Sequence, residues 1–199
     1  MATSILIPLF NPKTCFTWLG SCTVLSRLLR KLNDVRDIES VRIVTDSPQV
    51  RTLLGSWPDD PEHFVDVMPS VPADLLELCK SYLRDDSTFV VCNPLFPFVS
   101  EETINKVLFA VQSSPSVVTT SDGCGVVEEK GVAKLQPICI VHPACLAVQP
   151  RSQLLQPGNN PECLAIGEHV SVSLTAIEVL SLESSEGLDA AKILSTYYA

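Results

Sequence analysis

The side chains with chemistry to offer are eight cysteines, three histidines and a thin set of carboxylates and amines, and their spacing excludes more than it assigns. Cys15, Cys22, Cys79, Cys92, Cys124, Cys139, Cys145 and Cys163 contain no C-x-x-C pair, and His63, His142 and His169 are scattered. A zinc site or a dithiol redox motif needs ligands at short, fixed spacings. Most of the cysteines sit in apolar surroundings and are expected to be buried, reduced thiols. Asp122-Gly123 is a turn signal, and with Gly125 it gives two glycines, which do not make a phosphate loop. Three polar residues stand where chain direction changes. Asn93 lies in a proline-rich turn, Asp46 in VTDSP is placed to cap a helix, and Glu183 stands at a helix start.

These residues need a frame, and the stretch Ser87 to Val111 supplies its centre. Phe89, Val90 and Val91 form an apolar run suited to a strand covered on both faces. Pro94 and Pro97 end the ladder because neither donates a backbone hydrogen bond. Ser100 is a good N-cap with Thr103 as its N3 residue, Glu101 and Glu102 complement the helix dipole, and Ile104, Val107, Leu108 and Val111 recur at helical spacing. The Asn93 turn therefore lies outside the carboxyl end of a strand, where open α/β sheets bind ligands.

At 199 residues, with 46% hydrophobic and 19% charged, the chain is long enough and apolar enough for one α/β domain. A net charge of −9 with no Lys/Arg run argues against nucleic acid or an anionic membrane as the main partner. MATSILIPLF has no basic leader region, and no segment is long enough to span a bilayer. A cytoplasmic location is expected.

In chain order, Ser4 to Leu9 reads as a first strand, Thr23 to Leu32 as an amphipathic helix and Val41 to Thr45 as a second strand. DSPQVRTLLG reads as a short helix, Phe64 to Val67 as a third strand and Pro72 to Leu83 as a second amphipathic helix. After the central helix come a strand from Ser116 to Thr120, a turn at SDGCG and a two-stranded excursion from Val126 to Val141. Gln149 to Glu162 is expected to be a mobile loop, Ser171 to Leu182 one or two strands, and Ser184 to Tyr198 a terminal helix with Glu186 in a capping box. Strands alternating with helices imply a three-layer α/β/α sandwich around a mostly parallel, Rossmann-like sheet.

CNPLFPFVSEETINKVL resembles the HDAARPFVSEETINRVL type of motif in 2-C-methyl-D-erythritol 4-phosphate cytidylyltransferases and, more distantly, the matching segment of CMP-sugar synthetases. SILIPLFNPKTCFTWLG resembles their first strand, pyrophosphate loop and Pro-Lys-Gln turn, and VLSLESSEGLDAAKIL resembles their terminal Asn-Ile-Lys-x-Thr-x-Pro-Glu-Asp-Leu segment. The resemblance covers most of the chain and implies a nucleotide-diphospho-sugar transferase type of fold that binds CTP with Mg²⁺. It also implies a homodimer built through a β-arm, here at about 125–145, or a dimer with an active paralogue.

Carried over residue by residue, the resemblance makes Lys13 the catalytic lysine. Pro8, Leu9, Asn11, Asp74 and Asn93 become the nucleotide-binding positions, and Asp46 and Glu183 the carboxylates available to Mg²⁺. The departures are extensive. Only Leu9, Phe10 and Asn11 separate Pro8 from Pro12, with no glycine to wrap a triphosphate. Asn93 stands for an Asp, Phe96 for an Arg, Met68 and Pro69 for a glycine pair, Pro72 for an Arg and Leu75 for a Ser. Ser181 stands for the terminal Lys. Two expectations follow: a cytidylyltransferase-like binding or partner module whose chemistry is lost, or an active Mg²⁺-dependent enzyme transferring CMP from CTP to a sugar or polyol phosphate.

Overall fold

The computed structural model describes residues 3–9, 11–35, 38–48, 50, 52, 63–67, 88–129, 132–149 and 169–197. Within them the strands are β1 (Thr3–Pro8), β2 (Trp18–Leu19), β3 (Cys22–Thr23), β4 (Ile38–Thr45), β5 (His63–Val67), β6 (Thr88–Cys92), β7 (Ser116–Glu129), β8 (Val132–Val148) and β9 (Val170–Ser173). The helices are α1 (Pro12–Cys15), α2 (Val24–Asp34), α3 (Glu101–Ser113) and α4 (Ser185–Leu194).

Seven strands form one sheet in the order β5-β4-β1-β6-β8-β7-β9, and β2 and β3 form a small separate hairpin. The pairs β5–β4, β4–β1, β1–β6 and β7–β9 are parallel, whereas β8 runs antiparallel to β6 and β7. Ile5 lies between Val41 and Val90, and all five residues of β6 are buried. Apolar side chains on both sides of these strands need cover on both faces, which gives the mostly parallel α/β/α class that the sequence predicts. Helix α2 starts where the Thr23 hydroxyl accepts the Ser26 N–H at 3.2 Å, and it buries Val24, Leu25, Leu28, Leu29 and Leu32. Helix α3 starts at Ser100, whose hydroxyl accepts the Thr103 N–H at 3.1 Å, and it buries Ile104, Val107, Leu108 and Val111.

Local expectations are overturned at SDGCG and at α4. SDGCG is no turn: β7 runs straight through it, and Asp122 and Gly123 pair with Cys139 and Ile138. A side chain at Gly123 would bring its Cβ within 2.6 Å of Ile140 Cδ1, so here glycine serves a close cross-strand approach. Of the one or two strands expected from Ser171 to Leu182, one forms, β9; the chain then turns repeatedly, with the Glu178 carboxylate folding back to accept the Thr175 N–H at 2.8 Å. No capping box forms at α4, since the residue three positions after the Ser184 cap is Gly187 and not Glu186. A Cβ at Gly187 would lie 2.0 Å from the Ser181 carbonyl oxygen, and the helix ends at Leu194 rather than Tyr198. Cys124 and Cys139 are exposed, whereas Cys15, Cys22, Cys92 and Cys145 are the buried thiols expected.

Candidate functional site

The chain passes from β1 to β4 and β5 on one side, then returns to place β6 on the other side of β1. The connections leaving β1 and β6 therefore diverge, which opens a crevice at the carboxyl ends of these strands. Pro8 ends β1 there, and the buried Leu9 donates its N–H to the Val44 carbonyl at 2.8 Å. Asn11 caps α1 by accepting the Thr14 N–H at 3.3 Å, and Lys13 stands exposed in that single helical turn. Asp46 is exposed just beyond β4, where the Thr45 hydroxyl, not the Asp46 carboxylate, accepts the Ser47 N–H at 3.0 Å. Asn93 follows β6 and is buried; its side-chain oxygen accepts the Leu95 N–H at 3.0 Å, and its own carbonyl accepts the Phe96 N–H at 3.1 Å. Glu183 is exposed, and its neighbour Leu182 donates to the Leu95 carbonyl at 2.8 Å, which brings the C-terminal segment against the crevice loop. Topology thus places Pro8, Leu9, Asn11, Lys13, Asp46 and Asn93 at one end of the sheet, while Asp74 lies outside the described residues.

Two charged residues that sequence reasoning missed hold this loop. Glu178 is buried; its Oε1 accepts the Ser100 N–H at 2.8 Å, the Ser100 hydroxyl at 2.7 Å and the Thr103 hydroxyl at 2.6 Å. Burial pushes its carboxyl up, but the bonds from Thr103, Ser100 and Thr175 outweigh that and hold it at about 2. From the other side, Lys31 Nζ donates to the carbonyls of Pro97 at 2.8 Å and Val99 at 2.6 Å. No periodicity signal marks either residue, since each acts across a long stretch of chain.

The base of the β7–β8 arm reaches the same loop. The register breaks between Val118 and Thr119, so that Pro143, Ala144 and Cys145 bulge from β8. The Thr119 hydroxyl fills the break, accepting the Cys145 N–H at 3.1 Å and lying 2.8 Å from the His142 carbonyl oxygen. Below the bulge, Ala144 to Val148 is buried return strand; above it, Ile138, Ile140 and Val141 are exposed. His142 Nε2 sits 2.7 Å from Ser121 Oγ, and its ring meets Phe96 edge-on at 6.4 Å. Burial lowers the imidazole below its ordinary value. Cys92 and Cys145 face each other at 4.0 Å, and that contact with burial raises the Cys92 thiol well above the usual range.

A divalent ion needs several oxygen or nitrogen donors converging on one point. Among the described residues no three His, Cys, Asp or Glu side chains do so, and Asp46 and Glu183 are both solvent-exposed. The described residues, taken by themselves, do not make a magnesium site. Nor is any helix among them long and apolar enough to cross a membrane.

No protein-family model matches the sequence, and no curated protein matches it. Solved structures do match the fold. A 4-diphosphocytidyl-2C-methyl-D-erythritol synthase from Anaerococcus prevotii superposes with a TM-score of 0.72 at 14% identity, over 98% of this chain and 96% of that one. A CMP:2-keto-3-deoxy-manno-octonic acid synthetase complexed with CTP gives 0.69 at 12% identity over the whole of both chains. A Mycobacterium tuberculosis protein in complex with manganese gives 0.64 at 8% identity, over 96% of this chain and 98% of that one. The chain therefore has the nucleotidyltransferase fold of the cytidylyltransferases, carried by a sequence that shares little of theirs.

Proposed function

We propose that this chain is a cytidylyltransferase-like protein that has lost transfer chemistry and serves as a partner module, with any remaining nucleotide binding independent of a metal. The observation that carries the reading is the state of the crevice's polar groups. The Leu9 N–H is spent on Val44, the Asn93 side-chain oxygen on Leu95, and the Ser100 N–H on Glu178. A triphosphate needs free N–H groups and cations converging on it. Lys13 is the one cation at the crevice that the resemblance makes catalytic, and the acidic chain concentrates no others on the crevice positions.

The partner half of the reading rests on the arm. Leu135 is 75% exposed, and Ile138 and Ile140 are 39% and 40% exposed on the opposite face of the same strand, so a two-stranded ribbon presents apolar side chains on both faces. Such a ribbon is marginal alone and gains from being covered. A second copy of this chain, clasped arm to arm, is the partner proposed.

Calorimetric titration with CTP, with and without Mg²⁺, tests the loss of chemistry. The expected result is no Mg²⁺-dependent binding in the micromolar range, with Lys13→Ala indistinguishable from the parent. Micromolar binding that requires Mg²⁺ and weakens in Lys13→Ala favours instead an active transferase using Lys13 with Asp46, Asp74 or Glu183.

A further inference from the structure

An open groove of about 690 Å³ runs between α2 and the start of α3; Lys31, Ser100 and Glu178 line it, and Pro8, Leu9, Asn11, Lys13, Asp46 and Asn93 do not. One wall is Phe98 and Ile177; the other carries Arg27, Arg30 and Lys31 from α2. The Arg27 guanidinium lies 5.7 Å from the centre of the Phe98 ring and bonds the Leu19 carbonyl at 3.2 Å, so it is committed to the wall. Arg30 is exposed and faces the groove, with Glu101 and Glu102 at the far rim and Glu102 paired to Lys106 at 2.7 Å.

Lys31 has an unusual setting. Its Nζ is tied to two neutral carbonyls, and no carboxylate among the described residues forms an ion pair with it. Glu178 lines the same groove, but both of its oxygens are already filled by Ser100, Thr103 and Thr175. A neutral amine has two N–H groups and one lone pair. Two carbonyl acceptors match those two donors and leave the third position on nitrogen for the groove. Burial first, and Arg27 one turn earlier, pull the amine down to about 8, against the opposing influence of Glu178, Cys145 and Cys22. A desolvated lysine beside a second cation is the setting that makes an amine nucleophilic near neutral pH.

We propose that Lys31 forms an imine with a small carbonyl compound bearing an anionic group, an oxo acid or a phosphorylated aldehyde, seated in this groove with its anion on Arg30. The nitrogen lone pair bonds to the carbonyl carbon, the carbonyl electron pair moves to oxygen, and that oxygen leaves as water with one of the amine's protons and one from solvent, which gives a protonated imine. A protonated imine keeps a single N–H. One of the Pro97 and Val99 carbonyls then loses its donor, so the adduct loosens the loop that ends the crevice.

The test treats the full chain with pyridoxal 5′-phosphate, traps adducts with borohydride and maps the modified peptide by mass. At pH 7.5 a lysine near pKa 8 holds a free-amine fraction about a hundredfold above that of an ordinary lysine. Allowing for its lower basicity, Lys31 is expected to react about tenfold faster than exposed Lys106 and Lys192. Its rate should level off above about pH 8, while that of Lys106, whose amine the Glu102 carboxylate holds above its ordinary value, keeps rising. Pyridoxal without the phosphate should react several-fold more slowly, and Arg30→Ala should abolish that difference. Label spread over the exposed lysines with Lys31 no faster overturns the proposal, and equal rates with both aldehydes overturn the anion site. The rate comparison uses the unaltered chain and does not depend on any variant folding.

Discussion

Replacing Glu178 with alanine is expected to lower stability by about 3 kcal/mol or more, because three donors on Oε1 and one on Oε2 lose a charged acceptor in a buried place. For a chain of this size that is a fall in Tm of about 10 °C, measurable by thermal unfolding. Glu178→Gln is expected to lose most of the same amount, since its amide NH₂ must face either Thr175 N–H or the Ser100 and Thr103 donors. The pH dependence has a definite sign. A carboxyl held at about 2 when folded and near 4.3 when unfolded contributes fully above the unfolded value and loses its contribution as pH falls toward 2. The parent chain should therefore destabilise between about pH 4.5 and pH 2 more steeply than Glu178→Gln. Coincident acid profiles for the two would show that Glu178 does not hold the loop.

Charging the arm should have the largest effect on assembly. Leu135→Asp with Ile140→Asp places a carboxylate on each face of β8; Leu135 is 75% exposed and Ile140, which lies across Gly123, 40%, so the monomer should lose some arm packing and keep its fold. Burying each of these side chains in a clasp is worth about 1.5–3 kcal/mol, so losing both should weaken a homodimer by at least a hundredfold. Sedimentation of the parent should give a dimer at micromolar concentration and of the double variant a monomer. A parent chain that is monomeric throughout contradicts the clasp and turns the arm toward a different protein partner.

Local rules succeeded in this chain where the deciding contacts are local. The Thr23 and Ser100 caps, the apolar stripe of α2 and the wholly buried β6 follow from residue type and spacing within a few positions. Asp122-Gly123 misled because the pairing of Asp122 with Cys139 and the packing of Ile140 across Gly123 outweigh a dipeptide's turn preference. The expected capping box failed on a contact three residues upstream of the cap, the Ser181 carbonyl, which leaves room only for glycine. The site's two charge clamps were beyond local reading altogether. Glu178 acts on Ser100 across 78 residues, and Lys31 on Pro97 and Val99 across 66 and 68. The bulge after His142 likewise divides one apolar run, Ile138 to Val148, into exposed residues and a buried return strand, a division that no local pattern marks.

The sharpest test of lost chemistry is pyrophosphate release from CTP and Mg²⁺ in the presence of 2-C-methyl-D-erythritol 4-phosphate and a panel of sugar and polyol phosphates. Each missing preorganised contact costs about a hundredfold to a thousandfold in rate, so several missing together predict no release above the protein-free background. Turnover that depends on an acceptor and disappears in Lys13→Ala would contradict the account and restore the transferase.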